Sequence, residues 1–319
     1  MGGDGGGGGG GSGGGTAGYG RGPPWRFRGR AVMQLHAVRA REAREHVPPG
    51  LRLVEVAGWT LGAAYLARYT ESPAGAFDEL VVLCGLLWNP PGSAMWASRV
   101  AVSSDAARRH GVHTFGLPSV NADFMEAGGG RGGGSGSAGP SRTGERGWWG
   151  QMHSPGRGGS PAPGRVLARG VEAGTVAVVE RQSQRGAWLR RIWRTARRAP
   201  PPPAEARDVI LGLDLPEARA PGRPAGPRVS IVMPNFSGCS TDRPELLRYR
   251  CVLNASVRLV RPFQLRFPGA PLTGAGGVDG PSPASAPAVA LRGRPLLALG
   301  FDNLLLEAFA PEVMRPKAA

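Results

Sequence analysis

Three acidic residues between positions 71 and 79 are the side chains best placed for acid or base chemistry in this sequence. Glu71, Asp78 and Glu79 lie in a loop that leads directly into the apolar run Leu80–Trp88. We therefore expect one of the three to face the interior of the fold. A carboxyl group held in an apolar interior has a raised pKa, and it can act as a general acid near neutral pH.

These carboxylates also have a purely structural interpretation, which the sequence leaves open. In that interpretation Glu71 and Asp78 are solvated turn residues, and Glu79 forms an ion pair with an arginine such as Arg30 or Arg99. The two interpretations differ in the partner of Glu79, because an ion pair would keep its carboxyl group ionised.

Metal, thiol and cofactor chemistry are less well supported. His110 and His113 are three residues apart, but Gly111 between them is expected to end a helix, so we predict no metal site. Cys84 lies within an apolar strand and is expected to be a buried, unreactive thiol. The glycine motifs that match nucleotide-binding loops fall inside polyglycine and not between a strand and a helix, so we predict no cofactor.

The elements that carry these residues are mostly strands. Apolar side chains alternate with polar ones along 25–35 and 248–260, which is typical of half-buried strands. In the second run one face is formed by Cys251, Leu253, Ala255, Val257 and Leu259. Further strands are predicted within 51–69 (two strands) and at 80–88, 94–102 and 229–233, short helices at 37–47 and 104–111, and a last ordered element at 295–309. The pattern indicates a β-rich α+β fold class.

Low-complexity segments divide the chain. Of its 319 residues 53 are glycine, and the glycines concentrate in 1–22 and 126–164. Neither stretch can bury enough apolar surface to offset the entropy of ordering, so we predict a disordered N-terminal tail and a disordered insert. We expect a single domain at 23–310, interrupted by that insert and by proline-, arginine- and glycine-rich loops near 194–227 and 268–290, and followed by a C-terminal tail at 311–319.

The large positive net charge is weak evidence for a nucleic-acid partner. The net charge is +16, yet the 39 basic residues are arginines except for Lys317. This ratio indicates GC-rich coding more than selection for phosphate contacts, so we expect no nucleic-acid partner. No hydrophobic leader or organelle transit peptide is evident, and the longest apolar run, Leu80–Trp88, is too short to cross a bilayer. We expect a soluble intracellular protein without a transmembrane segment.

Several short strings are specific enough to be compared with known families. They are Pro23-Pro24-Trp25-Arg26-Phe27, Ser72-Pro73-Ala74-Gly75 with Phe77–Val82, Trp88-Asn89-Pro90-Pro91, Gly116–Ser119 and Pro234–Gly238. Together they resemble the plant and algal neoxanthin-deficient protein family, which belongs to the acetoacetate decarboxylase-like superfamily. The resemblance covers residues 23–125 and 229–265.

This resemblance implies a cone-shaped, mostly antiparallel β-barrel with short flanking helices and a solvent-shielded cavity. Acetoacetate decarboxylases carry a Schiff-base lysine directly after a proline. In this sequence Pro118 is followed by Ser119, and the one lysine of the chain is Lys317. Schiff-base decarboxylation is therefore not expected.

Other positions of the superfamily are retained in part. Arg30 falls where the decarboxylases carry an arginine near the substrate carboxylate, and Glu71 or Glu79 falls near their acidic partner. The resemblance thus makes Glu79 and Glu71 the candidate catalytic residues, and Glu79 is the first choice as the acid. The candidate pocket residues are Arg30, Ser119 and Pro118.

The family is associated with the formation of neoxanthin from violaxanthin, in which an epoxide opens to an allene without net redox change. The resemblance implies that this chain supports the step, as the isomerase or as a carotenoid-binding accessory protein, and leaves open whether it is an enzyme. The alternatives are a non-catalytic module for lipid-like ligands and an enzyme for a small carboxylated carbonyl substrate held by Arg30.

The same resemblance implies two kinds of partner, an apolar small molecule such as a xanthophyll and a partner enzyme. Formation of a homo-oligomer is left open. The family implies association with a plastid.

Overall fold

Strands account for most of the residues that the computed structural model describes, which are 19–89, 92–126, 175–181, 209–215, 226–267 and 286–314. The strands are β1 (Trp25–Arg39), β2 (Trp59–Glu71), β3 (Phe77–Asn89), β4 (Gly92–Val102), β5 (Ser119–Glu126), β6 (Thr175–Glu180), β7 (Val209–Asp214), β8 (Arg228–Val232), β9 (Asn235–Ser240), β10 (Arg243–Tyr249), β11 (Cys251–Val260), β12 (Gln264–Arg266), β13 (Arg294–Ala308) and β14 (Glu312–Val313).

The helices in these ranges are short. They are α1 (Ala40–Arg44), α2 (Asp105–His113) and α3 (Ala286–Val289), with 3-10 turns at Tyr19–Arg21 and Ala290–Arg292. None of these described helices is long and apolar enough to span a bilayer.

Hydrogen bonds join the strands into one sheet in the order β12-β7-β6-β5-β4-β3-β2-β1-β13-β11-β8. Strand β9 branches from β4 and pairs with β10, which in turn pairs with β14. The pairings of β4 with β5 and with β9 are parallel, and the others are antiparallel. Strand β1 occupies the middle of the sheet, since it pairs along its length with β2 on one side and β13 on the other.

The central strands send alternate side chains into two separate cores. On β3, Leu80 and Val82 join one core together with residues from α1, α3, β6 and β7. Leu83 joins a second, more aromatic core that contains Tyr65 and Tyr69 of β2. We call the first side of the sheet the packed face and the second side the cavity face. The period of two in a strand makes this separation possible.

The predicted strands agree with the structure at most positions. The alternation from Trp25 marks β1, the face that begins at Cys251 is confirmed, and 80–88 and 94–102 match β3 and β4 within three residues. The last ordered element, predicted at 295–309, is β13. The run 51–69 holds one long strand where two were predicted, because 51–58 forms turns and isolated bridges. The run 248–260 is divided at Arg250 between β10 and β11.

The two predicted helices differ from the observed ones at their ends. Pairing with β2 extends β1 to Arg39, so the first helix shortens to Ala40–Arg44. Ser104 caps α2 as predicted, because its side chain accepts a hydrogen bond from the Ala107 N–H. Gly111 does not end this helix. A β-carbon there would lie 2.4 Å from the hydroxyl oxygen of Ser119, so the glycine allows close packing on β5.

Some segments predicted as tails or loops contain buried residues or strands. Tyr19, within the predicted N-terminal tail, is buried. The predicted loop 194–227 contains the buried strand β7, and the predicted C-terminal tail contains β14 and the buried Met314. Strands β7 and β14 join the sheet by pairing with β6 and β10, and Tyr19 packs against the rings of Trp25 and His110. Residues 1–18 and 127–164, which include nearly all of the predicted tail and insert, lie outside the described residues.

Candidate functional site

A cavity of about 100 Å³ lies on the cavity face. Strands β1, β2, β3, β11 and β13 supply one wall. The opposite wall consists of Phe115 and Leu117, which follow α2, and of Met233, Phe236 and Tyr249 from the β8–β10 region. Most of the lining is apolar or aromatic, so a charged group in it is poorly solvated.

Glu79 is the one acidic or basic residue among the described residues that line this cavity. Its position follows from strand alternation: Glu79, Val81 and Leu83 project from β3 into the cavity, while Leu80 and Val82 project into the packed face. The sequence prediction that one of the three acidic residues faces the interior therefore holds for Glu79. Its remaining accessible surface borders the cavity.

Two tyrosines of β2 hold the carboxyl group in a short hydrogen-bonded chain. The Tyr69 hydroxyl donates to Glu79 Oε2 at 3.1 Å, and the hydroxyl oxygens of Tyr65 and Tyr69 are 3.2 Å apart. Because Tyr69 gives its only hydroxyl proton to Glu79, Tyr65 must be the donor in the second bond. The chain orients the carboxyl group, and its other oxygen, Oε1, has no hydrogen bond to a described residue.

Burial controls the protonation of this group. Loss of solvation raises the pKa of Glu79 to about 7, and the hydrogen bond from Tyr69 opposes that rise. Burial also raises the pKa of the Tyr69 and Tyr65 hydroxyls and of the Cys251 thiol, so these groups stay neutral at physiological pH. Near pH 7 Glu79 is present in both protonation states, which suits a group that gives and receives protons.

The other two acidic residues point elsewhere. Asp78 accepts two hydrogen bonds from the Arg68 guanidinium, at 2.6 and 3.1 Å, on the opposite side of β3 from Glu79. Glu71 lies at the exposed end of β2, where its Oε2 is 3.7 Å from Arg28 Nε. The predicted ion pair between Glu79 and an arginine is wrong, since Tyr69 is the partner of Glu79 and Arg99 pairs with Glu180.

The predicted pocket residues lie outside the described lining of the cavity. Arg30 is half-buried and faces Arg68 across the β1–β2 pair, and cross-strand partners share a face, so Arg30 points away from Tyr69. Ser119 is buried against Gly111, and Pro118 packs on Gly238. Their neighbour Leu117 reaches the cavity instead. Pro118 and Ser119 therefore support the wall from behind.

The functional residues that the sequence argument missed are the tyrosines. Tyr65 and Tyr69 are four residues apart in a strand, and this spacing places them on one face. Cys251 was assigned to the correct face of β11 without a role. The sequence does not predict the register between β2 and β3. In this register Ala67 pairs directly with Glu79, and Tyr69 lies two residues further along β2 on the same face.

Metal binding finds no support in the described residues. They contain no group of three histidine, cysteine or acidic side chains with metal-site geometry. His110 stacks on Tyr19 with ring centroids 3.6 Å apart, and burial lowers its pKa to about 4. His113 is exposed. Both histidines lie in α2, and their side chains have separate surroundings.

The chain is similar to known proteins in sequence and in structure. No protein-family model matches the chain. It is similar to a protein of Oryza sativa subsp. japonica named NEOXANTHIN-DEFICIENT 1, with 34% identity over 94% of this chain and 92% of the relative. A protein of the same name from Arabidopsis thaliana is 33% identical over 94% of this chain and 96% of its own. One from Solanum lycopersicum is 54% identical over 35% of this chain and 37% of its own.

Two kinds of solved structure are also similar at low sequence identity. Acetoacetate decarboxylase from Legionella pneumophila has 11% identity and a TM-score of 0.46, covering 92% of this chain and 88% of that chain. The enduracididine biosynthesis enzyme MppR complexed with pyruvate has 12% identity and a TM-score of 0.43, covering 93% of this chain and 92% of that chain.

Proposed function

This chain belongs to the neoxanthin-deficient protein family, and we propose that it supports the formation of neoxanthin from violaxanthin by binding one end group of the xanthophyll beside Glu79. The family membership rests on the relatives of rice and Arabidopsis, which this chain matches over nearly their whole length. The proposal assigns the cavity as the binding site and Glu79 as the acid.

The proposed reaction is an isomerisation that needs one proton donor and one proton acceptor. Glu79 donates its proton to the epoxide oxygen as the carbon–oxygen bond breaks, and the oxygen becomes a hydroxyl group. The resulting carboxylate accepts the proton that leaves the polyene carbon next to the ring, and the electrons of that carbon–hydrogen bond form the allene. Glu79 is regenerated, and no oxidant or reductant is consumed. The Tyr69 hydroxyl stabilises the transient carboxylate.

The observation that carries this proposal is a single carboxyl group, with its pKa raised to about 7, in a cavity whose other described lining residues are uncharged. An ordinary glutamic acid would be almost fully ionised at pH 7 and would be a poor donor. An apolar cavity also keeps water away from an epoxide that water could open. No Schiff base is needed.

An accessory role, in which the protein holds the xanthophyll for a partner enzyme, is the second candidate. The size of the cavity favours it. A volume of about 100 Å³ is well below the roughly 300–1,000 Å³ of typical ligand pockets, so the cavity admits an end group and leaves the rest of the molecule accessible to another protein. In this role the Glu79 side chain would bind without reacting.

The remaining alternatives receive less support. An enzyme for small carboxylated carbonyl compounds needs Arg30 in the cavity, whereas Arg30 faces Arg68 on the other side of the sheet. A module for other lipid-like ligands would use the same cavity, and it differs from the xanthophyll proposal only in the probe that binds.

The family relationship also supports coarser proposals about the architecture and location. We assign residues 23–310 to one domain, with a cone-like barrel as the shape of its sheet, and the tails and the low-complexity insert to its periphery. Activity on a xanthophyll would place the protein in a plastid, beside a partner enzyme or a second copy.

The test of this proposal compares Glu79→Gln with Glu71→Gln. Glutamine preserves shape and removes the acid, and Glu71 is an exposed carboxylate that serves as the matched control. Each purified protein is incubated with violaxanthin in detergent micelles. Neoxanthin is measured by chromatography, and binding is measured by the shift of the carotenoid absorption band.

Each result selects one candidate. The isomerase proposal predicts neoxanthin from the unmodified protein and from Glu71→Gln, and at least a hundredfold lower rate from Glu79→Gln. A band shift without product in all three proteins would instead identify an accessory role. Absence of both signals would contradict the proposed function.

A further inference from the structure

The cavity face continues beyond the cavity as an open apolar surface. Along β11, the residues on this face change steadily from buried to exposed. Leu253 is 1% exposed and lines the cavity, Val257 is part-buried, and Leu259 is 75% exposed. On β13 the same direction leads from the buried Phe301 through Leu299 to Leu297, which is 38% exposed.

Cross-strand pairing joins these residues to the cavity. Met33, which lines the cavity, pairs with Leu299 on β13, and Leu299 pairs with Leu259 on β11. The next row outward pairs Leu35 with Leu297. Cross-strand partners share a face, and Val257 lies on the same face of β11 two residues before Leu259, so these residues form one continuous surface that begins at the cavity-lining Met33. We call this surface the apolar strip and define it by Leu35, Val257, Leu259, Leu297 and Leu299.

The strip has the dimensions of an extended chain. Measured from the cavity-lining Leu253 to Leu259 at the outer end of the strip, the cavity and the strip together extend over six residues of β11, about 20 Å at roughly 3.3 Å per residue. None of the five residues carries a charge or a hydrogen-bonding side chain. Exposed apolar surface of this kind is unfavourable in water and commonly marks a binding site.

We propose that the apolar strip binds the extended apolar chain of a ligand whose polar end group lies in the cavity. The class of ligand is therefore a long, rod-like hydrocarbon with a small oxygen-bearing terminus, such as a polyene. Two features support this occupant. The strip begins at a cavity-lining residue, Met33, and the cavity is too small to contain a long ligand by itself.

This inference rests on the proposed function in one respect, the place of the ligand's end group. Three other occupants would explain the exposed leucines: a second copy of the chain, a lipid bilayer, or a segment of this chain outside the described residues. Each makes a different prediction when a charge is placed on the strip.

The experiment compares Leu259→Asp with Val232→Asp. Both residues are exposed, at 75% and 65%, and lie on neighbouring strands. Val232 pairs with Val252, which alternates with the cavity residues Cys251 and Leu253, so Val232 lies on the opposite face and is the matched control. Two probes are used: violaxanthin in detergent micelles, and 5,6-epoxy-β-ionone, which has the end ring without the polyene.

The inference predicts that Leu259→Asp weakens violaxanthin binding about tenfold or more, from the loss of one leucine contact and the burial of a charge. It predicts no change larger than about twofold in epoxy-ionone binding, and Val232→Asp should bind both probes normally. If the unmodified protein binds both probes and Leu259→Asp binds both equally well, the strip does not hold the chain. If the unmodified protein binds neither probe, the proposed function fails and the inference fails with it.

Measurements without either probe identify the other occupants. Loss of a dimer in Leu259→Asp by analytical ultracentrifugation would assign the strip to a second copy. Loss of binding to phosphatidylcholine vesicles, with violaxanthin affinity unchanged, would assign it to a bilayer. A melting temperature lower than that of Val232→Asp by several degrees, with violaxanthin affinity again unchanged, would assign it to the chain itself. Each of these results would overturn the proposal.

Discussion

Buried polar groups on the two faces of the central sheet differ in how completely they are bonded. On the packed face, the Gln34 amide donates to the Phe263 carbonyl oxygen at 2.9 Å and accepts from the Phe263 N–H at 2.7 Å. Its nitrogen is also 2.9 Å from His36 Nε2, and His36 Nδ1 donates to the Gly293 carbonyl oxygen at 3.3 Å. On the cavity face, Glu79 has one hydrogen bond, from Tyr69, and borders empty space.

This difference separates a structural role from the chemical role that we propose for Glu79. Gln34 and His36 have partners for their polar atoms and are nearly inaccessible, so they fix the segment after β11 and the turn before β13 against β1. Glu79 has one carboxyl oxygen without a hydrogen bond to a described residue. Near pH 7 its carboxyl group is protonated in part of the molecules. Burial favours the neutral form of both titratable groups, lowering the pKa of His36 and raising that of Glu79, but only Glu79 can present its proton to a ligand.

The largest effect in this comparison is expected from Gln34→Ala. The change leaves three buried groups without a partner: the N–H and the carbonyl of Phe263, and Nε2 of His36. Each such group costs about 1–3 kcal/mol, so we expect the free energy of unfolding to fall by about 4 kcal/mol in urea titration. Tyr69→Phe removes the hydroxyl that pairs with Glu79 and with Tyr65, and it should cost about 2 kcal/mol, because both groups border the cavity. Equal costs for the two variants would remove the distinction between the faces.

The next largest effect is the contribution of Glu79 to the pH dependence of the free energy of unfolding. Its pKa is about 7 in the folded protein and near 4.5 when unfolded, so the folded state binds the proton more tightly. Stability from this group is complete below pH 4.5 and is lost as the pH rises through 7. Between pH 5 and 8, Glu79→Gln should therefore gain about 2 to 3 kcal/mol of unfolding free energy relative to the unmodified protein.

The pH dependence must be measured as a difference from Glu79→Gln, because buried histidines change the free energy of unfolding with pH in the opposite direction to Glu79. The lowered pKa of His36 and of His110 makes stability fall as the pH drops below 6.5. The difference between the unmodified protein and Glu79→Gln, measured by urea unfolding at each pH, cancels their contribution. A difference that does not change with pH would show that Glu79 has an ordinary pKa.

The smallest difference in the free energy of unfolding is expected between two truncations of neighbouring residues on β3. Val82 is fully buried on the packed face, and Val81 lines the cavity. Val82→Ala removes contacts on all sides and leaves a new void, so we expect a loss of about 2 kcal/mol. Val81 already borders empty space, and Val81→Ala should cost about 1 kcal/mol. Thermal and urea unfolding of the two variants measure the contrast, and a larger cost at Val81 would reverse the assignment of the faces.

Local periodicity carried most of the fold that the sequence could predict. Alternation identified β1 and the inward face of β11, and the loop before Leu80 indicated an interior carboxylate. These features depend on neighbouring residues alone. The β-rich class follows from them, whereas the choice of Glu79 among the three acidic residues does not.

The rest of the site depends on contacts between distant residues. Tyr69 meets Glu79 because of the β2–β3 register, and the carbonyl of Phe263 meets Gln34 across more than two hundred residues. Arg30 was expected in the pocket, but a register shift between Gly29 and Ala31 and the pairing with Arg68 direct it to the other face. No local pattern encodes a bulge or a cross-strand partner.

Because β1 pairs with β13, one edge of β1 stays unpaired during much of the synthesis of the chain. β2 follows β1 closely and can pair with one edge of it early, but the other edge has no partner until β13 leaves the ribosome. An open strand edge attracts other chains. Residues added between the two strands cost little native stability, because loop-closure entropy grows slowly with length, yet each one lengthens translation. In this protein the inserts therefore determine how long the central strand stays unprotected.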